Sequence, residues 1–249
     1  MHNFTLVCAD TDSFTVCKPD GSPFSKEETD RLTQELSDIF PERINWEFEF
    51  NYPKMLVLKA KNYIMLDNKG KKKLKGSALK SATLEPALKQ FLNEMIDVLL
   101  QVEDIEERNH NLLDIYEKYV KMISDIKDIT PWAKKQTLSK VTFDGERKNE
   151  TDVIDAIKGK EYGPGDKIYL ISKAKMIPTG EIYKVGKDKG KPKMKKSKIL
   201  VLLEDFDGEY DRDVYYDKLY KCIKRFETVL PVKEMFKKRK HEDDTEVCS

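Results

Sequence analysis

Two carboxylates stand two residues apart in Ala9-Asp10-Thr11-Asp12-Ser13-Phe14, between the apolar runs Phe4 to Ala9 and Phe14 to Cys17. Two such charges at the tip of a hairpin repel, and a divalent cation relieves the repulsion. Extended backbone would put residues i and i+2 on one side. Magnesium takes carboxylate oxygens together with substrate phosphates, which suits two-metal phosphoryl or nucleotidyl transfer. The local alternative is that Asp10 and Asp12 only close a tight turn, where Asp is favoured.

A second group is Lys59-Ala60-Lys61-Asn62-Tyr63, directly before the lysine-rich stretch Asn68 to Lys80 (NKGKKKLKGSALK). Lys59, Lys61, Lys73, Lys75 and Lys80 could neutralise phosphates, Gly76 allows close backbone approach, and Tyr63 adds a ring and a hydroxyl. The alternative is a solvated basic face. A second lysine run, Lys187 to Lys198, holds Gly190 and Pro192 and reads as a solvated loop.

The elements that must position these residues follow from patterning. The two apolar runs around Asp10 to Ser13 predict a β-hairpin. Ser25-Lys26-Glu27-Glu28 is a capping box, and Leu32, Leu36 and Ile39 follow at helical spacing up to Pro41. Ile44, Trp46, Phe48 and Phe50 alternate with polar residues, which predicts a half-buried strand. Met55 to Leu58 and Tyr63 to Leu66 add two more, so Met1 to Asp67 reads as one antiparallel sheet with a covering helix. Beyond it, Leu88, Phe91 or Leu92, Met95 and Leu99 form one helical stripe, and Leu112, Tyr116, Tyr119, Ile123 and Ile126 another. A short helix around Val153 to Ile157, strands at Asp166 to Ser172 and Ile199 to Leu203, and a helix over Tyr215 to Phe226 complete an α+β chain. Lys237 to Ser249 lacks an apolar period and reads as a frayed tail.

The 249 residues suffice for one large domain or two small ones. Lysine and arginine total 46 against 45 aspartate and glutamate, a net +1, so only local clustering can indicate a partner. No uninterrupted apolar stretch reaches about 20 residues, which excludes a membrane-spanning helix. Met1 to Ala9 is too short for a secretory signal and lacks its basic start. Cys8, Cys17, Cys222 and Cys248 have no paired spacing, which argues against a zinc site or disulfide framework and fits a reducing compartment, the cytoplasm.

Taken together and in this order, these features resemble the C-terminal part of family B DNA polymerases, particularly the phage and viral replicative enzymes. Leu6 to Phe14 is similar to that family's motif C, usually written Y-x-D-T-D-S, with Cys8 where tyrosine is common. Lys61-Asn62-Tyr63 is similar to its K-x-Y motif, and Lys75-Gly76 fits the basic segment that follows. The resemblance runs from Leu6 to about Lys237, strongest in the first third.

It implies residues 1–68 as the C-terminal part of a polymerase palm, 69–82 as a basic linker, 83–236 as a mostly helical thumb and 237–249 as a disordered tail. Asp12 would be a magnesium ligand with Asp10 beside it, and Thr11 and Asp12 would meet the incoming deoxynucleoside triphosphate. Lys59, Lys61, Tyr63, Lys73, Lys75, Gly76 and Lys80 would hold primer–template DNA. The family also needs a second carboxylate motif (D-x-x-S-L-Y-P), a finger helix with a lysine and usually an exonuclease, and nine residues precede Asp10. The expectation is therefore a split polymerase, inactive alone, whose N-terminal partner chain carries those parts; a truncated gene or mis-called start codon is the rival. A non-catalytic duplex-DNA-binding module is the alternative function. The tail lacks the apolar anchor that docking on a sliding clamp would need, and no membrane partner is expected.

Overall fold

The computed structural model describes residues 4–76, 84–143, 148–182, 184 and 189–240. The chain is α+β, with small antiparallel sheets and seven α-helices among the described residues. It divides into two compact units: Met1–Ser81 with Arg225–Leu230, and Ala82–Lys224 with Pro231–Ser249. Among the described residues no helix is long and apolar enough to cross a membrane.

In the first unit, β1 (Thr5–Asp10) and β2 (Ser13–Cys17) form the expected hairpin, with Asp10 opposite Ser13 and Thr11-Asp12 as its two-residue loop. Helix α1 (Lys26–Ile39) starts at the capping box: the Ser25 hydroxyl accepts from the Glu28 amide while the Glu28 carboxylate accepts from the Ser25 amide. β3 (Lys54–Lys59), β4 (Asn62–Leu66) and β5 (Lys72–Lys75) form a separate three-stranded meander. Leu58, Ile64 and Met65 are its buried residues. The returning segment adds buried Phe226 and Leu230, and the Thr228 hydroxyl donates to the Leu58 carbonyl.

Three expectations for this unit are corrected. Instead of one sheet there are two, β1-β2 and β3-β4-β5. Ile44 to Phe50 is not a strand; no strand pairs with it among the described residues, and Ile44, Phe48 and Phe50 stay 48%, 51% and 50% exposed. Alternation yields a strand only when a neighbour completes the backbone hydrogen bonds. This segment is instead held through Trp46. Its amide donates to the Ser37 hydroxyl at 2.9 Å, and its ring meets Phe14 at 4.9 Å and Phe40 at 5.7 Å. The basic stretch is not all linker either. The Asp67 carboxylate accepts from the Lys69 and Lys71 amides, both at 2.8 Å, and closes a turn through left-handed Gly70. The chain then folds back as β5, with Lys72 and Leu74 half-buried and Lys73 and Lys75 exposed.

In the second unit α2 (Pro86–Gln101) and α3 (Ile105–Ser124) pack on α6 (Arg212–Ile223). The expected stripes are buried at Leu88, Phe91 and Met95, and at Leu112, Tyr116, Tyr119 and Ile123, but Leu99 is only half-buried, with Leu100 buried instead, and half-buried Ile126 lies beyond the end of α3. Trp132 links them, its ring 6.5 Å from Tyr119 and 5.7 Å from Tyr215. β6 (Lys134–Thr137), β7 (Lys167–Ile182) and β8 (Pro192–Leu202) form an antiparallel sheet. Leu138, Val153, Ile157, Ile168, Leu170 and Leu202 make a second core there, with Val153 and Ile157 from α5 (Lys148–Ile157). Two four-residue helices, α4 (Lys140–Phe143) and α7 (Val232–Met235), complete the set.

The second lysine run, expected as a loop, is strand from Pro192 on; pairing uses backbone groups that lysine supplies like any residue, so Lys195, Lys196 and Lys198 pair opposite Ile177, Met176 and Ala174. Residues 237–240 are held: the Lys237 carbonyl accepts from the Tyr116 hydroxyl at 2.6 Å, Lys238 pairs with Asp217 at 2.8 Å and Arg239 with Glu117 at 2.9 Å. The rest of the tail, 241–249, lies outside the described residues.

Candidate functional site

Asp10 ends β1 at the hairpin tip. Its Oδ1 accepts from the Thr11 amide at 2.8 Å and the Thr11 hydroxyl at 3.3 Å, and forms an ion pair with the Lys61 Nζ at 3.0 Å. The two sequence motifs therefore meet at one carboxylate oxygen. The Lys61 ammonium first, and the Thr11 amide next, hold the Asp10 carboxyl below its ordinary value, so it stays ionised. Asp12 is exposed and has no hydrogen bond or ion pair to a described residue. It lies in the loop rather than on β1, so strand alternation does not relate the two carboxylates.

Lys61 sits in the two-residue loop Ala60-Lys61, between paired Lys59 and Asn62. It is the one non-glycine residue with positive φ among the described residues, at 60°. Short hairpin loops favour that geometry, at a cost of about 1 kcal/mol for a side-chain-bearing residue. Asn62, which is buried, donates from Nδ2 to the Ala60 carbonyl at 3.0 Å and braces the loop. Tyr63, one step on, is half-buried and opposite Lys75. Burial first, then the charges of Cys8, Asp10 and Glu49, push its hydroxyl pKa up, against an opposing effect of Lys73.

The remaining basic candidates separate. Lys59 and Lys75 are exposed and carry no ion pair to a described residue. Lys73 is engaged: its Nζ donates to the Tyr52 hydroxyl at 3.1 Å and to Glu49 at 3.4 Å, and lies over the Tyr52 ring. The Tyr52 hydrogen bond is the largest cause of its raised pKa. Gly76 packs onto the loop itself and has a φ of 99°. A Cβ there would lie 2.3 Å from the Asn62 Oδ1 and 2.5 Å from the Lys61 carbonyl oxygen. Lys80 lies outside the described residues.

Sequence reasoning missed Asn62 as the brace and Glu49 and Tyr52 as partners of Lys73. An asparagine beside a two-residue loop was the available signal for the first. Nothing local pairs residues 49 and 73.

Two carboxylate oxygen ligands suit magnesium, with Asp12 free to bind, but among the described residues no cluster of three His, Cys, Asp or Glu exists.

With the geometry described, the fold has a known counterpart. The chain is similar to the structure of the family B DNA polymerase from the hyperthermophilic archaeon Pyrobaculum calidifontis. The two superpose with a TM-score of 0.59 at 17% identity, over 91% of this chain and 27% of that one. The chain therefore has the fold of part of a family B polymerase and spans about a quarter of that protein's length. No protein-family model matches it, and no curated protein does.

Proposed function

We propose that this chain is the C-terminal part of a template-directed DNA polymerase of the phage or viral replicative type. In this reading it supplies the Asp10 and Asp12 carboxylates and grips primer–template DNA. The observation that carries the reading is the 3.0 Å pair between Lys61 Nζ and Asp10 Oδ1, which joins two motifs distant in sequence at one point. The shared fold with part of a family B polymerase supports it.

The chemistry assigned to the site's own residues is limited and specific. Asp12 and Asp10 would hold magnesium, which when bound supplies charge stabilisation for phosphoryl transfer. Lys61 neutralises one oxygen of Asp10, keeps that carboxylate ionised, and lessens its repulsion of incoming phosphates. Tyr63 offers a half-buried ring at the same place, against which a primer terminus would rest. Lys59 and Lys75, without acidic partners among the described residues, are free to neutralise backbone phosphates. The other palm carboxylate, the fingers and the exonuclease belong, in this reading, to polypeptide other than these 249 residues, which alone are inactive. The first unit corresponds to palm and the second to thumb.

A non-catalytic duplex-binding module is the second reading, favoured by Asp10 being already engaged by Lys61. It leaves Asp12 without a role. Primer extension separates the two: mixing this chain with a polypeptide carrying the missing parts yields nucleotide incorporation in the first reading, and duplex binding without incorporation in the second.

A further inference from the structure

We propose that the outer edge of β8 in the second unit is a docking strand, to which an acidic, extended segment of a partner protein adds as a fourth strand of the sheet. β8 stands last in the order β6-β7-β8, and no strand pairs with its other edge among the described residues. Helix α5 packs on β8 through the core at Leu200 and Leu202. Before that point Pro192, Met194, Lys195 and Lys198 are exposed. A strand edge carries backbone N–H and C=O groups that another extended chain can pair in series.

Charge selects the partner. Residues 191–198 hold five lysines and no acid, in a chain whose net charge is +1. Lysine on an edge keeps like strands apart. The same charges attract a strand of opposite sign, so repulsion and attraction both act on the choice. The register then decides between an acidic peptide and a nucleic-acid duplex. Lys195 lies opposite Ile177 and Lys198 opposite Ala174, so Lys195 is on one face of the sheet and Lys198 on the other. Lys193 is paired with Glu181 at 3.0 Å, whereas Lys195 and Lys198 form no ion pair with a described residue. A duplex laid on one face would meet one of those two cations. A strand at the edge sends its side chains alternately to both faces and meets both. This surface requires neither Asp10 and Asp12 nor primer–template DNA, so it stands apart from the proposed function.

The test uses the full chain and a labelled synthetic peptide of alternating glutamate and threonine, as long as β8. Binding, followed by fluorescence anisotropy, should slow hydrogen exchange of the amides in 193–198. Two further peptides carry N-methyl groups on alternate residues, one on its glutamates and one on its threonines. One of the two blocks the backbone groups that face β8 and should bind about tenfold more weakly or worse. Replacing Lys195 and Lys198 together by glutamine should weaken the unmethylated peptide to a similar degree, and glutamate at both positions should turn the preference toward a lysine–threonine peptide. Unchanged circular dichroism certifies the fold of each variant. If both methylated peptides bind as well as their parent, the contact is charge alone and the proposal fails. It fails too if the wild-type chain binds none of the peptides. A DNA duplex that displaces the peptide, and whose own affinity falls in the glutamine variant, marks the edge as a nucleic-acid surface and overturns the proposal as well. Primer extension, on which the proposed function rests, is untouched by any of these results.

Discussion

Gly76 packs so closely on Asn62 that a Cβ at position 76 would overlap the Asn62 Oδ1 at 2.3 Å. Asn62 in turn holds the Ala60 carbonyl, and Lys61 lies between them in a left-handed conformation that points its ammonium at Asp10. Gly76 thus acts through the loop as a positioning residue. Gly76→Ala should destabilise the chain by about 1–3 kcal/mol, the usual cost of forced overpacking, read as a lower urea midpoint. Adding Asn62→Ala should recover only part of the loss, because the Lys61 carbonyl oxygen still stands 2.5 Å away. Full recovery would show that the backbone clash is unimportant.

The helical core of the second unit allows a plain stability prediction. Leu88 is fully buried beside Phe91 and Leu92 on α2. Leu88→Ala should cost about 2–5 kcal/mol through reduced burial and the cavity left behind. A cost under about 1 kcal/mol, the usual scale of a tolerated volume-conserving change, would place that face of α2 outside the core.

Acid stability should depend on Glu94. Burial is the largest single influence on its carboxyl and raises its pKa. Lys118 at 2.9 Å, Gln90 and the Tyr119 hydroxyl together outweigh it, and the net value lies below 4.5. A carboxyl whose folded pKa is depressed contributes stability that is fully present above its unfolded value and lost as pH falls through the folded one. Glu94→Gln should therefore unfold at a urea midpoint less sensitive to acid below pH 4.5 than the wild type. Parallel acid limbs for the two proteins would contradict the assignment.

Lys73 and Lys75 should behave differently although they are two residues apart. Lys73 is held by Tyr52 and Glu49, whereas Lys75 has no acidic partner among the described residues. Lys75→Gln should flatten the salt dependence of duplex binding by about 0.9 for each phosphate it neutralises, and Lys73→Gln by less. Equal effects would mean that DNA displaces Glu49 from Lys73.

Local signals were legible wherever the stabilising partner lay nearby in sequence. The Ser25 capping box, the Asp10 to Ser13 turn and the stripes through Phe91 and Tyr116 were readable for that reason. Ile44 to Phe50 misled because whether alternating residues become a strand is decided by a distant neighbour, and here Trp46 packs on rings instead. β5 and the lysine-rich first half of β8 were hidden by composition: lysine runs read as solvated, whereas the apolar end of β8 from Ile199 was legible, and β5 needs only Leu74 on one face to pack. At the site, Asp10, Lys61 and Tyr63 were named from motif types, whereas the close packing of Gly76 on Asn62 depends on how β4 and β5 meet.

The proposed function places catalysis on Asp10 and Asp12. Its most direct measurement is primer extension in magnesium by this chain mixed with a polypeptide holding the other palm carboxylate and the fingers. Each half alone should incorporate no nucleotide, and the mixture should extend the primer. Asp12→Asn should lower the rate by several orders of magnitude, because several kcal/mol of transition-state stabilisation goes with the metal's ligand. Asp10→Asn should cost less, since Lys61 already shares that carboxylate. Duplex binding should survive both changes. Extension by the isolated chain, or a reconstituted Asp12→Asn enzyme working at near-normal rate, would contradict the account.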